Sequence, residues 1–153
     1  MKINGQQYDR PKPIQINLPF GDETVTLFAG PVTDYTKFEQ LAPEPVPPEV
    51  LLKGGQRSRN VEDPKFKKKV EEYGQLRTYW MVKESLKATP ELEWDTVDDS
   101  KPDTWPNIEP ELKTVVGEFG VAKIIKAVLR ANGLSEEIVQ QARDSFLASQ
   151  SRQ

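Results

Sequence analysis

The chain contains neither cysteine nor histidine. Without these two residue types it cannot form a disulfide, a Cys/His zinc site, a cysteine nucleophile or an imidazole general base. Most of the common catalytic arrangements are therefore excluded. The sequence predicts a protein without a cofactor.

Apolar residues are also scarce and make up 36% of the 153 positions. No stretch approaches the ~18 consecutive apolar residues of a membrane helix, and the polar start MKINGQQYDR does not resemble a secretion signal. A net charge of −3 provides no overall attraction to nucleic acid or to an anionic membrane. These features predict a soluble, cytoplasmic protein with a small core.

Proline is unevenly distributed, since nine of the 13 prolines lie in residues 1–64. The hydrophobic pattern changes from period two to helical periods across the same region. We therefore predict an α+β fold in three parts: a β-rich subdomain at residues 1–41, a Pro/Gly-rich connector at residues 42–63 and a helical subdomain at residues 64–153.

The predicted sheet rests on two alternating stretches and their turns. The alternating apolar residues are Ile14, Ile16 and Leu18, then Val25, Leu27 and Ala29. Residues 19–23 and the pair Asn4-Gly5 are turn-forming. A three- or four-stranded antiparallel sheet is expected, with a short helix over it at Tyr35, Phe38 and Leu41. Thr36 and Glu39 form a candidate capping box for that helix.

The connector has little capacity for regular structure because it combines closely spaced prolines with Gly54-Gly55. Two interpretations remain open. It is either a loop that covers the protein's own core through Val50, Leu51 and Leu52, or a flexible segment that a partner captures.

About four helices are expected after the connector. The first begins with Asp63 as its cap and Pro64 at its first position. A short helix follows Pro110, with a first apolar stripe at Leu112, Val115, Val116 and Phe119. Before the next helix, Gly117 or Gly120 turns the chain. Asn132-Gly133 ends this helix. Its apolar stripe comprises Val121, Ile124, Ile125, Val128 and Ala131. The last begins at Ser135, with an inner face of Leu134, Ile138, Val139, Ala142 and Phe146.

Three charged stretches are candidate sites with simpler alternatives. The acidic residues 91–103 could hold a metal for a small enzyme, but they lack the central glycine of a calcium loop. Lys65, Lys67, Lys68 and Lys69 could contact nucleic acid, but Glu71 and Glu72 are placed to pair with them. The third stretch is basic and is either the outer face of a helix or a docking site for an acidic partner; it comprises Lys123, Lys126 and Arg130. In each case a solvated charged surface is the preferred interpretation.

The first long helix carries two apolar stripes, and a small core has difficulty covering both. We expect Phe66, Val70, Tyr73 and Trp80 to lie inside and the second stripe to face a partner. Trp94 and Trp105 are included because tryptophan is a preferred interface anchor, although each could also belong to the core. The predicted partner-binding residues are Tyr79, Val82, Leu86, Trp94 and Trp105.

The order of segments resembles the tail assembly chaperones of long-tailed bacteriophages over nearly the whole chain. The most specific part is SLKATPELEWDTVDDSKPDTW at residues 85–105. The other matching features are Ala29–Pro31, Phe38-Glu39, Pro43-Glu44-Pro45, Pro47-Pro48, Gly54-Gly55, Asp63-Pro64, Tyr73, Arg77, Trp80, Asn132-Gly133-Leu134 and ARDSFLAS at 142–149.

The resemblance implies a non-enzymatic protein of the infected host's cytoplasm that is absent from the mature virion. Such a protein binds the tape measure protein, keeps it soluble and recruits tail tube subunits, and it can form homo-oligomers. Neither nucleic acid nor membrane is an expected partner. Another phage structural or tail-associated role is the alternative, and the metal-dependent enzyme a more distant one.

Overall fold

Strands dominate the N-terminal part of the chain and helices the C-terminal part. A computed structural model describes residues 1–134, 137 and 140. The strands are β1 (Lys2–Ile3), β2 (Gln6–Gln7), β3 (Ile14–Phe20), β4 (Glu23–Ala29), β5 (Glu49–Leu51) and β6 (Arg57–Arg59). The helices are α1 (Thr36–Leu41), α2 (Pro64–Leu86), a 3₁₀ helix (Pro102–Asn107) and α3 (Ile108–Ala131). The arrangement is α+β, as predicted.

Strands β3 and β4 form the antiparallel hairpin that the alternating pattern predicts. Its buried face carries Ile16, Leu18, Leu27 and Ala29. The turn is tighter than expected: Phe20 still pairs with Glu23, and Gly21-Asp22 alone connects the strands. Gly21 has a φ of 59°, which a two-residue hairpin turn requires. Asn4-Gly5 makes the predicted tight turn between β1 and β2 with φ of 51° and 81°.

The expectation of one three- or four-stranded sheet is wrong. Among the described residues, the six strands pair as three separate two-stranded sheets. The outer edge of β4 is occupied by the end of α2 and the turn that follows it instead of a third strand. The Phe28 amide donates to Thr89 Oγ1 (2.7 Å), the Thr89 hydroxyl donates to the Phe28 carbonyl (3.1 Å), and the Gly30 amide donates to the Ser85 carbonyl (2.9 Å).

Helix α1 lies where the Tyr35–Leu41 spacing predicts it, but two details differ. The Thr36 amide donates to Asp34 Oδ1 (2.9 Å), and no side chain caps the helix in the predicted Thr36/Glu39 arrangement. A hydrogen bond from the Thr36 side chain and, secondly, this backbone bond lower the pKa of Asp34. Phe38 packs against aromatic residues of α2 and the 3₁₀ helix instead of lying over the hairpin, because those rings provide the larger apolar surface.

The connector contains a regular hairpin, contrary to the expectation from its composition. Strands β5 and β6 pair from Glu49 opposite Arg59 to Leu51 opposite Arg57, and Gly54 and Gly55 turn the chain with positive φ. Val50, Leu51 and Leu52 are exposed, so the loop interpretation in which they cover the core is wrong. Glu49 forms ion pairs with Arg57 and Arg59 across the hairpin. These charged side chains keep the hairpin in solvent.

Helix α2 begins as predicted, with Asp63 accepting from the Phe66 amide (2.9 Å). Its interior differs from the prediction. Trp80 is buried, but Phe66 and Tyr73 are half-buried and Val70 is 44% exposed, because the core covers the C-terminal third of the helix. The buried residues of α2 are Trp80, Met81, Val82, Lys83, Ser85 and Leu86.

Helix α3 merges the two predicted helices across a break at Gly117, whose φ is 71° and ψ 179°. Leu112, Ile124 and Val128 are buried, in keeping with the predicted stripes. Phe119 is 94% exposed, so its expected place in the first stripe is wrong: the break redirects the chain just before it. Asn132-Gly133 ends the helix as predicted, since Gly133 has a φ of 71° and the Leu134 amide donates to the Leu129 carbonyl (2.7 Å).

The main core lies where the buried face of the β3–β4 hairpin meets the end of α2 and both halves of α3. Asn132 joins these parts. Its Oδ1 accepts from the Val32 amide (2.8 Å), and its Nδ2 donates to Ser85 Oγ and to the Val128 carbonyl (2.8 Å each). The predicted last helix lies largely outside the described residues; of its expected inner face, Leu134 is described, and it is exposed.

Candidate partner-binding groove

An apolar groove lies between α2 and the two halves of α3. The Gly117 break allows both halves to face α2, so that each half supplies one wall. The groove has a volume of about 370 Å³ and is called here the Tyr79 groove. It is lined by Gln75, Thr78, Tyr79 and Val82 from α2 and by Ile108, Glu109, Leu112, Val121 and Ile125 from α3.

Tyr79 and Glu109 provide the polar feature of this groove. The Tyr79 hydroxyl donates to Glu109 Oε2 over 3.4 Å. Burial and, secondly, the Glu109 charge raise the pKa of Tyr79, so its phenol stays protonated and remains a donor. The groove therefore presents an apolar floor with a carboxylate at its rim.

A second depression surrounds Trp94 and is called here the Trp94 pocket. Its volume is about 290 Å³. Apolar residues from β4, the acidic segment and the first half of α3 form its walls, and three carboxylates stand among them. The lining comprises Val25, Leu27, Leu92, Trp94, Leu112, Thr114, Val115 and Val116, with Glu93, Asp95 and Glu111.

Glu111 holds the acidic segment against α3. Its carboxylate accepts from the amides of Asp95 (2.7 Å) and Thr96 (3.1 Å) and from the Thr96 hydroxyl (2.6 Å). Burial, the largest influence, would raise the pKa of Glu111, but these hydrogen bonds together lower it. The carboxylate therefore stays charged beside the Trp94 pocket at neutral pH.

A buried lysine fastens the other end of the acidic segment. Lys83 is 1% exposed, and its ammonium contacts Glu84 Oε1 (2.7 Å) and Asp99 Oδ1 (2.8 Å) while lying 4.0 Å from the centre of the Trp80 ring. Lys87 bonds to the same two carboxylates. Burial would raise the pKa of Asp99, but the bonds from Lys83 and Lys87 outweigh it and lower the pKa. Each charge of this cluster has a partner, so loss of Glu84 or Asp99 would leave the buried Lys83 ammonium with one partner fewer and would destabilise the fold.

Trp105 belongs to a closed aromatic cluster. It is 0% exposed, its ring centre lies 5.2 Å from that of Trp80, and its indole Nε1 donates to the Asp98 carbonyl (3.0 Å). Phe38 and Tyr73 complete the cluster. Trp105 therefore lies in the core, as the alternative interpretation has it, and a partner cannot reach it.

The structure separates the five predicted partner-binding residues. Val82 (1% exposed) and Leu86 (0%) lie in the core, so the expectation that their stripe is uncovered is wrong. The hairpin and α3 cover that stripe, which the helical pattern of α2 alone could not indicate. Tyr79 and Trp94 are half-buried and line the two concave surfaces.

Sequence reasoning missed the α3 contribution to the Tyr79 groove. Ile108 and Glu109 flank the predicted short helix, while Val121 and Ile125 were assigned simply to an apolar stripe. The signal available was the glycine at 117, which places two helix segments at an angle. What no pattern shows is that both segments pack on the same face of α2.

Both concave surfaces combine apolar walls with carboxylates. In the part of the chain that the structure describes, no group of three or more Asp or Glu side chains is placed to hold a metal ion. No helix among the described residues is long and apolar enough to cross a membrane. Comparisons of the chain with protein-family models, curated proteins and solved structures find no match.

Proposed function

We propose that the protein is a non-enzymatic tail assembly chaperone of a long-tailed bacteriophage, which binds the tape measure protein and keeps it soluble in the host cytoplasm until tail tube subunits are recruited. The sequence resemblance at residues 85–105 supports the family. The single structural observation that supports a binding role is the Tyr79 groove, an apolar cleft on a chain with few apolar residues to spare.

The occupant proposed for the groove is an amphipathic helix of the tape measure protein. A groove of about 370 Å³ accepts a few apolar side chains, and helices dock in such grooves through anchors at positions i, i+3 or i+4 and i+7. Glu109 stands at the rim with its carboxylate in contact with the Tyr79 hydroxyl. This charge favours a partner helix that carries lysine or arginine beside its apolar stripe.

The best test fills the groove without disturbing the core. Thr78 lines the groove and is exposed, so Thr78→Arg adds bulk and positive charge while removing one exposed hydroxyl contact to the Gly74 carbonyl. Thr24→Arg is the matched control, because Thr24 is an exposed residue of β4 outside the groove. Both variants should keep the melting temperature within a few degrees of the unchanged protein.

The readout is co-purification with the tape measure protein of the same phage, co-expressed in bacteria. Thr78→Arg should lose the soluble complex and leave the tape measure protein in the insoluble fraction. Thr24→Arg should retain the complex. A folded Thr78→Arg that co-purifies as well as the unchanged protein would show that the groove is not the binding site. Failure of the unchanged protein to solubilise its partner would refute the chaperone proposal itself.

A further inference from the structure

Phe119 heads a stripe of exposed residues on the second half of α3. Residues spaced by four, three and four lie on one face of a helix, and the stripe comprises Phe119, Lys123, Lys126 and Arg130. All four are exposed, and Phe119 is 94% exposed. Phe119 is the most exposed large apolar side chain among the described residues, and basic side chains follow it along the same face.

The Trp94 pocket has the opposite character. Its floor is apolar, and its carboxylates are Glu93, Asp95 and Glu111. The hydrogen bonds at Glu111 keep that group ionised at neutral pH. Shape and charge therefore match the stripe: an aromatic side chain fits the apolar floor, and the basic side chains that follow it are opposite in charge to the carboxylates.

The stripe and the pocket lie next to each other in the same chain. Val116 lines the pocket, and Gly120 lies so close to Val116 that a Cβ added at Gly120 would be 2.5 Å from the Val116 Cβ. Phe119 directly precedes Gly120, so the head of the stripe lies one residue from this contact with the pocket wall. Its exposure shows that it does not fill the pocket of its own chain.

We propose that the Trp94 pocket and the Phe119 stripe form a homodimer interface. Each copy inserts its Phe119 into the Trp94 pocket of the other, with Lys126 facing the carboxylates around it. Lys123 keeps its hydrogen bond to the Asn17 carbonyl of its own chain (2.8 Å). A projection and a complementary pocket that are adjacent on one surface satisfy the condition for a closed two-fold contact, in which the same patch serves both copies. The Tyr79 groove shares Leu112 with the Trp94 pocket but opens between α2 and α3, and its other lining residues take no part in this contact.

Sedimentation equilibrium of the full chain over a range of concentrations tests the dimer. The unchanged protein should associate reversibly to a dimer, and added salt should weaken the association because charge pairs contribute to it. Phe119→Ser should weaken dimerisation by about thirtyfold or more, as expected for the loss of a central aromatic anchor. Leu51→Ser is the control, since Leu51 is an exposed apolar residue of the β5–β6 hairpin and its loss should change nothing.

A second measurement locates the contact. Because the chain has no cysteine, one introduced at Val115 reacts without background, and a short bismaleimide should link two copies of Val115→Cys much faster than two copies of Ser58→Cys. A chain that stays monomeric at every concentration would overturn the proposal. So would a Phe119→Ser variant that dimerises normally, or equal cross-linking at the two positions. If the unchanged protein is monomeric and Phe119→Ser loses tape measure binding, the stripe binds the tape measure protein instead of a second copy, which also overturns the proposal.

Discussion

Replacing Asn132 by alanine should destabilise the protein by about 2–3 kcal/mol. The side chain makes three hydrogen bonds of 2.8 Å, to the Val32 amide, Ser85 Oγ and the Val128 carbonyl. Each contributes a net ~0.5–1.5 kcal/mol, and the Val128 carbonyl, at a helix end, regains water in the variant. For a chain of this size the loss corresponds to a melting temperature lower by about 4–12 °C.

Urea unfolding, followed by tryptophan fluorescence, measures the effect. Asn60→Ala is the control, because Asn60 accepts a single bond from the Glu62 amide in an exposed loop and its loss should cost less than about 0.5 kcal/mol. Asn132→Asp should recover only part of the stability at neutral pH: it keeps an acceptor for Val32 but places a negative charge at the helix C-terminus. If Asn132→Ala and Asn60→Ala are equally stable, the proposed link between hairpin, α2 and α3 is not energetically important.

Four further outcomes follow from the structure. Thr89→Val should cost about 1–3 kcal/mol in urea unfolding, because it leaves the Phe28 amide and carbonyl without their partner. Val82→Asp should abolish the cooperative thermal transition, since it buries a carboxylate in the core; a normal melting curve would refute that placement. The contribution of the charged Asp99 to the free energy of unfolding should be constant from neutral pH to about pH 5. It should disappear as pH falls through the lowered pKa of this carboxyl group, which lies below 3.8. Asp99→Asn should therefore flatten the acid side of the curve of stability against pH. Limited trypsin should first cut the exposed connector at Lys53, Arg57 or Arg59. Earlier cleavage within α2 would contradict the predicted three-part division.

Local features of the fold could be read from the sequence because short-range chemistry determines them. The Asp63-Pro64 start of α2 and the Asn132-Gly133 end of α3 depend on a capping side chain and on a glycine at positive φ. The β3–β4 pairing follows from a period of two. The β5–β6 hairpin was missed because its strands are three residues each and lack a buried face.

The candidate site was less predictable because it depends on which surfaces meet. Leu86 and Tyr79 share one stripe of α2, yet the first lies under the hairpin and α3 while the second lines a groove. The sequence also could not indicate that Thr89 would take the place of a neighbouring strand along β4. These outcomes depend on contacts between residues 60 or more positions apart, which periodicity does not encode.

The distance in sequence between the hairpin and its partners determines when the protein can fold during synthesis. The Val32–Asn132 hydrogen bond joins residues 100 positions apart, and Lys123 bonds to the Asn17 carbonyl from 106 positions away. A lone two-stranded hairpin is marginal in water, so β3 and β4 have no stable place until α3 has left the ribosome. At ~5–20 residues per second this leaves the apolar face of the hairpin uncovered for roughly 5–20 s. The nascent chain must pass through this interval before its own core can close.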